Sequence, residues 1–256
     1  MSADNAITVG SIGSWLQQGW RYYKKNALIS STYIALFLLP GSLMQYAMVS
    51  EGYGLFYYLL ATGFIILIPA LSALYYPLTS ISDRGQQSNV NDIINGLTRV
   101  PSACWVLTLF MLVLYLIWIS DAIVIYSFYF KLDPVLLSDY IENLGYRSEV
   151  NSFILNTSLA GLILAFIAYC VTVFSLPHAF EAQAGFVDAV VFSIKSIVTH
   201  FYVMMLWALV LGVTQLAALL IFSPLEIVLL PILAYANLAA YREIHKDLSR
   251  ESSEYT

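Results

Sequence analysis

The sequence predicts an all-α, polytopic membrane protein: a bundle of six transmembrane helices with about three amphipathic helices at the cytoplasmic surface. Of the 256 residues, 60% are hydrophobic and 11% are charged, against roughly 25% charged in ordinary soluble domains. The apolar residues form six long runs, each near or above the ~20 residues that a helix needs to cross a bilayer. Runs such as Ala103–Ile119 do not alternate apolar and polar residues, which disfavours a membrane β-barrel.

The six runs define the transmembrane spans in chain order. The connections after the first and fifth runs are very short, around Ser50–Gly54 and Ser223–Pro224, which predicts antiparallel hairpins. The connection after the third run, roughly Lys131–Asn151, is the long loop on its side of the membrane. We place the spans at about 27–49, 55–79, 102–125, 153–176, 201–222 and 225–241.

The distribution of basic residues predicts the orientation. Lys and Arg accumulate on the cytoplasmic side of membrane proteins. In the six-span arrangement, Lys131 and Arg147 lie on one side, and all other basic residues lie on the opposite side. Those are Arg21, Lys24, Lys25, Arg84, Arg99, Lys195, Arg242, Lys246 and Arg250. We therefore expect a multi-pass protein of a bacterial inner membrane with both termini in the cytoplasm. The net charge is −5 and no basic tract is present, so nucleic-acid binding is not expected.

Three segments on the cytoplasmic side have apolar residues near helical spacing, which predicts amphipathic helices that lie in the membrane interface. Each segment precedes a predicted hairpin of two spans. The apolar positions are Val9, Ile12, Trp15, Leu16, Trp20 and Tyr23 in the first, Val90, Ile93, Ile94, Leu97 and Val100 in the second, and Val187, Val190, Val191, Ile194, Ile197 and Val198 in the third.

This order indicates a threefold repeat of interfacial helix, span, turn and span within a single membrane domain, 1–256. Pro77 precedes Gly85 by eight residues after span two, and Pro177 precedes Gly185 by eight after span four. Proline can end a helix and glycine can begin the next turn. The repeats would cover 8–80, 86–178 and 185–242, followed by a polar cytoplasmic tail, 243–256.

Asp121 is the candidate intramembrane polar site. It lies between Trp118–Ile119 and Ile123–Val124. A carboxylate at the bilayer centre costs roughly 2.5–3.5 kcal/mol on insertion scales and often marks an ion or proton path. The alternative places Asp121 near the outer headgroups, where this cost nearly vanishes, and the sequence favours that second placement. Glu226, beside Pro224, is expected at a water-exposed hairpin tip.

Prolines inside the spans are candidate helix hinges. They are Pro40, with Gly41 beside it, Pro69 and Pro231, in spans one, two and six. Interrupted helices form binding sites in transporters, although prolines are also common in passive membrane helices. The small residues Gly161–Ala165 and Ala236–Ala240 have the spacing that lets helices pack closely.

Cysteine and histidine patterns predict no metal site and no cofactor. Cys104 and Cys170 lie inside apolar runs without a paired motif, so we expect buried thiols. His178, His200 and His245 fall at or beyond cytoplasmic helix ends. His178 and His200 could approach each other where span four ends and span five begins, but interfacial polar residues are the favoured interpretation.

Several short segments resemble bacterial six-span integral membrane proteins of domain-of-unknown-function families, some of which carry a cytochrome c oxidase label. The segments are Trp15–Leu16, Gly19–Trp20, Ile68–Pro69–Ala70, Tyr75–Tyr76, Ser175–Leu176–Pro177, Asp188–Ala189 with Ser193, and Trp207–Ala208. The resemblance implies a six-span inner-membrane protein without an established activity. A haem–copper centre needs several histidines at matched depth in the bundle, so the residues exclude a catalytic oxidase subunit and leave an accessory subunit open.

The sequence favours a non-enzymatic function. We expect an accessory, assembly or structural protein that acts through helix packing and membrane-surface contacts, with the lipid bilayer and a larger membrane protein complex as partners. The alternative is a small-solute transporter or channel, which the repetition, the interrupted helices and Asp121 support. An intramembrane enzyme ranks third, because no nucleophile–base pair is evident.

Overall fold

The structure, a computed structural model, describes residues 7–84, 100–131 and 144–254, and these ranges form helices joined by short turns. We number the α-helices in chain order. They are α1 Val9–Ser50, α2 Gly54–Ser72, α3 Tyr76–Asp83, α4 Ser102–Phe130, α5 Leu144–Thr172, α6 Ser175–Glu181, α7 Phe186–Thr199, α8 Phe201–Phe222 and α9 Glu226–Glu254, with 3-10 turns at Ala73–Tyr75 and Ser223–Leu225.

The predicted all-α membrane bundle is confirmed. Five helices in the described ranges are long and apolar enough to cross a membrane, or six if α2 and α3, which are bent by 41° where they meet, form one span. The helices extend beyond the apolar runs: α4 continues to Phe130 and α5 begins at Leu144. For α5 the apolar run underestimates the length because the helix begins in the polar sequence before the run.

Both short connections form the tight turns that were expected. Between α1 and α2, the Tyr53 amide donates to the Met48 carbonyl at 2.8 Å. Gly52 has a φ of 83°, a left-handed conformation that glycine adopts without a Cβ clash. Between α8 and α9, the 3-10 turn Ser223–Leu225 reverses the chain.

Residues 9–25 of α1 pack antiparallel along α9, and we call this pairing the terminal helix pair. Near one end, Trp15 Nε1 donates to Glu243 Oε2 at 2.7 Å. Beyond residue 25, α1 stays in contact with α9, since Ser31 Oγ donates to the Ile227 carbonyl at 3.3 Å. A Cβ on Gly19 would lie 2.8 Å from the Ala236 Cβ. The absence of side-chain atoms at Gly19 therefore permits the close approach.

The terminal helix pair corrects the expectation for the first amphipathic segment. The segment is helical, but Ile12 and Trp15 are buried in the core together with residues of α8 and α9. Protein therefore covers part of the face that was expected to contact lipid. Val9 and Trp20 remain exposed. The predicted polar tail is also helical as far as Glu254, and Ile244 within it is fully buried.

Helix α1 changes direction at Asn26, where the backbone leaves the helical conformation with φ −121° and ψ 19°. The Asn26 side chain is buried, and its Nδ2 donates to Ser82 Oγ at 2.8 Å and to the Tyr22 carbonyl at 3.1 Å. This side chain ties the kink to α3.

Helices α2, α4 and α5 form a second unit, the central bundle, around the indole of Trp118. A Cβ on Gly63 of α2 would overlap the Trp118 ring, and a Cβ on Gly161 of α5 would lie 2.8 Å from the same ring. Trp118 is 3% exposed. The large ring therefore fits because glycines face it from both neighbouring helices.

Two chain segments break at similar places relative to a proline. The 3-10 turn Ala73–Tyr75 precedes Pro77 in α3, and the break between Thr172 and Ser175 precedes Pro177 in α6. The proline then lies in the first turn of a short helix, a position that it tolerates because no intrahelical donor is needed there. These similar breaks fit the proposed repeat, which stays a prediction.

The third amphipathic segment forms α7, and its exposed face is apolar. Val187, Val191, Ile194 and Val198 are exposed, whereas the opposite face buries small residues, among them Ala189 and Ser193. This orientation fits a helix whose outer side contacts lipid. The second predicted segment lies outside the described residues except for Val100.

Candidate functional site

The main polar site joins the ends of several helices at Arg242 of α9. Its guanidinium donates to Glu181 Oε1 of α6, at 2.8 Å from Nε and 2.5 Å from Nη2. Nη1 lies 3.3 Å from Asp83 Oδ2 of α3 and 3.3 Å from the Tyr22 hydroxyl of α1. Nη2 also donates to Thr79 Oγ1 at 3.2 Å. One planar side chain therefore connects α1, α3 and α6 to α9.

Next to Arg242, Glu243 fixes the N-terminal end of α1. Its two carboxylate oxygens accept from Trp15 Nε1 at 2.7 Å and from Ser11 Oγ at 3.2 Å. The Trp15 ring is fully buried and meets Trp207 of α8 edge to face, with ring centroids 5.5 Å apart. A hydrogen bond to an ionised acceptor is stronger than a neutral one, so this contact fixes the register of the terminal helix pair.

Asn237 satisfies the backbone where α5 breaks. Its Nδ2 donates to the Val173 carbonyl at 2.7 Å, and its Oδ1 accepts from Trp207 Nε1 at 3.1 Å. The residue four positions after Val173 is Pro177, which has no backbone N–H to donate to this carbonyl, and a buried unpaired carbonyl is costly. Ser193 of α7 also contacts the break, since its Oγ donates to the Cys170 carbonyl at 2.9 Å.

The histidines lie on the same side as Arg242 but in pairs that differ from the predicted one. His178 stacks on Phe192 with centroids 4.2 Å apart, and its Nδ1 is 3.0 Å from the Tyr241 hydroxyl. Its ring lies 5.6 Å from His245, whereas His200 Nε2 is 3.4 Å from Asp247 Oδ2. Within the described ranges, no three His, Cys, Asp or Glu residues are grouped to hold a metal ion.

Glu226 corrects the expectation of a water-exposed hairpin tip. It is 2% exposed, and Gln215 of α8 is 4% exposed. With its amide nitrogen turned toward the carboxylate, Gln215 donates to Glu226 Oε1 at 2.7 Å and also to Oε2. The Glu226 side chain is therefore inside the protein and points toward Gln215 of α8.

Asp121 is partly exposed on α4, and the helix continues for nine residues beyond it to Phe130. The hydroxyl of the neighbouring Ser120 donates to the Leu116 carbonyl at 2.9 Å. The depth of Asp121 in the bilayer stays a prediction.

The candidate hinges lie inside continuous helices. Helix α1 runs through Pro40 and Gly41, α2 through Pro69, and α9 through Pro231. The backbone breaks that the structure shows lie elsewhere, at Asn26, Ala73–Tyr75 and Ser223–Leu225 among others. The hinge roles stay predictions.

Sequence reasoning missed the contacts of Arg242, Glu243 and Asn237. Arg242 was counted as a topology signal, and the two others were not singled out. The bond from Arg242 to Glu181 spans 61 residues of the chain, and the bond from Trp15 to Glu243 spans 228. No local sequence pattern shows contacts over such distances. One available signal was Gly19 in an amphipathic segment together with the small residues Ala236–Ala240.

The comparison with protein families gives one match. The model of the family described as predicted integral membrane protein (DUF2189) matches residues 56–181. The match covers most of α2 and all of the range from α3 to α6, which includes the central bundle. The terminal helix pair lies outside the match. The comparisons with curated proteins and with solved structures give no match. The resemblance to integral membrane proteins of unknown function is thus confirmed.

Proposed function

We propose that this integral membrane protein is a non-enzymatic accessory, assembly or structural subunit of a larger complex in a bacterial inner membrane. Both termini would lie in the cytoplasm. The observation that carries the proposal is the use of polar side chains: Arg242, Glu243 and Asn237 join helices of the chain to one another. Groups engaged in this way stabilise a scaffold and are not free to act on a substrate.

The outer surface of the central bundle supports the same proposal. Leu155 and Leu159 of α5 are 70% and 59% exposed, and Leu109 and Leu116 of α4 are also exposed. Such a surface suits lipid and the apolar helices of other membrane proteins, which pack through van der Waals contact. The partner would contact this outer face.

The experiment is photo-crosslinking in the native membrane. A photoreactive phenylalanine analogue at Leu159 is expected to cross-link to one defined membrane protein in fixed stoichiometry, identified by mass spectrometry after mild extraction. The matched control is Phe153 on the same helix, which is 1% exposed and should give no intermolecular product. Cross-links to lipid alone would contradict the proposal that a partner protein contacts this face.

The orientation is tested with a green fluorescent protein fused to the C-terminus. The fusion should fluoresce, because this protein folds in the cytoplasm, and a dark fusion would contradict a cytoplasmic C-terminus.

A small-solute transporter or channel is the second candidate. The buried Glu226–Gln215 pair favours it, because ionisable residues within membrane helices often mark ion or proton paths. Solute flux into liposomes that contain the purified protein distinguishes the transporter from the accessory subunit. Specific solute flux that Asp121→Asn or Glu226→Gln abolishes would replace the accessory proposal with the transporter.

A further inference from the structure

The turn between α8 and α9 contains a carboxyl group whose surroundings differ from those of the other acidic residues described above. Asp83, Glu181 and Glu243 each contact Arg242 or Trp15. Glu226 is almost completely buried, and its contact is the equally buried side-chain amide of Gln215.

The polar groups that the described contacts bring next to this pair are neutral. Helix α8 supplies Gln215, and α1 supplies Ser31, whose hydroxyl reaches the carbonyl of Ile227 next to Glu226. Ser31 Oγ in turn lies 3.1 Å from the Tyr23 hydroxyl. Among the described residues, Arg242 forms ion pairs with Asp83 and Glu181 and His200 lies beside Asp247, and Glu226 takes part in none of these contacts.

Among the described residues, no Lys or Arg forms an ion pair with a carboxylate in this position. Burial disfavours the charged form strongly, and a buried acid without a basic partner takes up a proton instead. Glu226 also begins α9, and the dipole of a helix favours negative charge at that end. The dipole effect is the smaller of the two, because it is worth less than the removal of an ion from water.

We propose that Glu226 and Gln215 form a proton-binding site, in which the Glu226 carboxyl holds a proton at neutral pH and releases it at alkaline pH. This site goes beyond the accessory function and does not depend on it. Its ligand is the proton, and Gln215 is the hydrogen-bond partner in both states.

The amide of Gln215 suits both states of the carboxyl group. When Glu226 is protonated, its hydroxyl donates to the amide oxygen. When Glu226 is ionised, a half-turn of the amide brings the NH2 group toward the two carboxylate oxygens, as in the 2.7 Å contact. An Asn or Gln side chain can exchange its oxygen and nitrogen in this way without changing its outline.

Infrared spectroscopy of the purified full-length protein tests the site. The wild-type protein at neutral pH should show the carbonyl stretch of a protonated carboxylic acid, and Glu226→Gln should lack it. Glu226→Gln is nearly isosteric, so the fold should survive, which size-exclusion chromatography checks. The control Asp121→Asn should retain the band. Identical carboxylic acid regions in wild type and Glu226→Gln would overturn the proposal.

Two further measurements test reversibility and the role of Gln215. The band should disappear at strongly alkaline pH and return on acidification, while a band that persists would overturn reversible binding. Gln215→Met keeps the length of the side chain but removes its hydrogen-bonding groups. It should leave the band present and shift its frequency, and an unshifted band would overturn the assignment of Gln215 as the partner.

Discussion

The terminal helix pair and the central bundle are both closely packed, but different side chains hold them together. In the terminal helix pair, Gly19 lets two backbones approach, and Glu243 and Arg242 then fix the register through hydrogen bonds to Trp15 and Tyr22. In the central bundle, the indole of Trp118 fills the space that Gly63 and Gly161 leave. The fit of this one ring sets the spacing of the bundle helices around it, beside a hydrogen bond from Asn156 Nδ2 to the Tyr129 hydroxyl at 2.6 Å. In the terminal helix pair, several directional polar contacts position the helices.

The largest effect is expected from Gly19→Val in the terminal helix pair. Its side chain would overlap the Ile232 carbonyl oxygen, a backbone atom that cannot rotate away. We expect a loss of about 3 kcal/mol in unfolding free energy, the upper part of the range for overpacking. The loss is measured as a decrease in the apparent melting temperature in detergent, with tryptophan fluorescence as the signal. Gly13→Val on the same helix is the control, because no heavy atom lies within 4 Å of its Cβ position. Equal losses in the two variants would contradict the close approach.

A smaller effect is expected from Gly63→Ala in the central bundle. The new methyl group would overlap the Trp118 ring, which Gly161 faces on its other side. We expect a loss of about 1–2 kcal/mol, measured as above. Gly212→Ala is the control, because its Cβ position is open, and alanine is the better helix former by up to ~1 kcal/mol.

The double variant Gly63→Ala with Trp118→Phe sharpens this test. A smaller ring leaves room for the methyl group, so the two losses should not add. Strict additivity would mean that Gly63 and Trp118 are not in contact, and the description of the central bundle would then be wrong.

The smallest effect is expected from Arg242→Gln. Partly exposed ion pairs contribute about 0–1 kcal/mol each, and Arg242 has two such partners, Asp83 and Glu181. We expect a loss of about 1 kcal/mol that shrinks at high salt, because the Debye length falls from about 10 Å at 0.1 M to 3 Å at 1 M. Arg21→Gln, at an exposed position, should change stability by less than about 0.5 kcal/mol. A loss that does not respond to salt would contradict an electrostatic role for Arg242.

The sequence was sufficient to predict the helices of the membrane bundle and the two short hairpins. Length and hydropathy determine whether a helix can cross a bilayer, and both are local properties. Helix α7 is a further case of prediction from local sequence, since Val187 and Val191 lie on the exposed face that their spacing predicts.

The pairing of the helices was not predictable in this way. Trp15 and Glu243 meet across 228 residues, and helical periodicity shows that Trp15 lies on an apolar face without showing whether lipid or protein covers it. Glu226 illustrates the same limit, because a carboxylate beside a turn is usually solvated, and its burial depends on Gln215 of another helix.

The separation of 228 residues between Trp15 and Glu243 also has a consequence during synthesis. Ribosomes add about 5–20 residues per second, so Glu243 is synthesised roughly 10–45 s after Trp15. Throughout this interval α9 does not yet cover the apolar face of residues 9–25, and an amphipathic helix of this kind lies readily in a membrane interface. We therefore expect the segment to lie in the membrane interface in the nascent chain, and α9 to cover part of its apolar face once it has been synthesised.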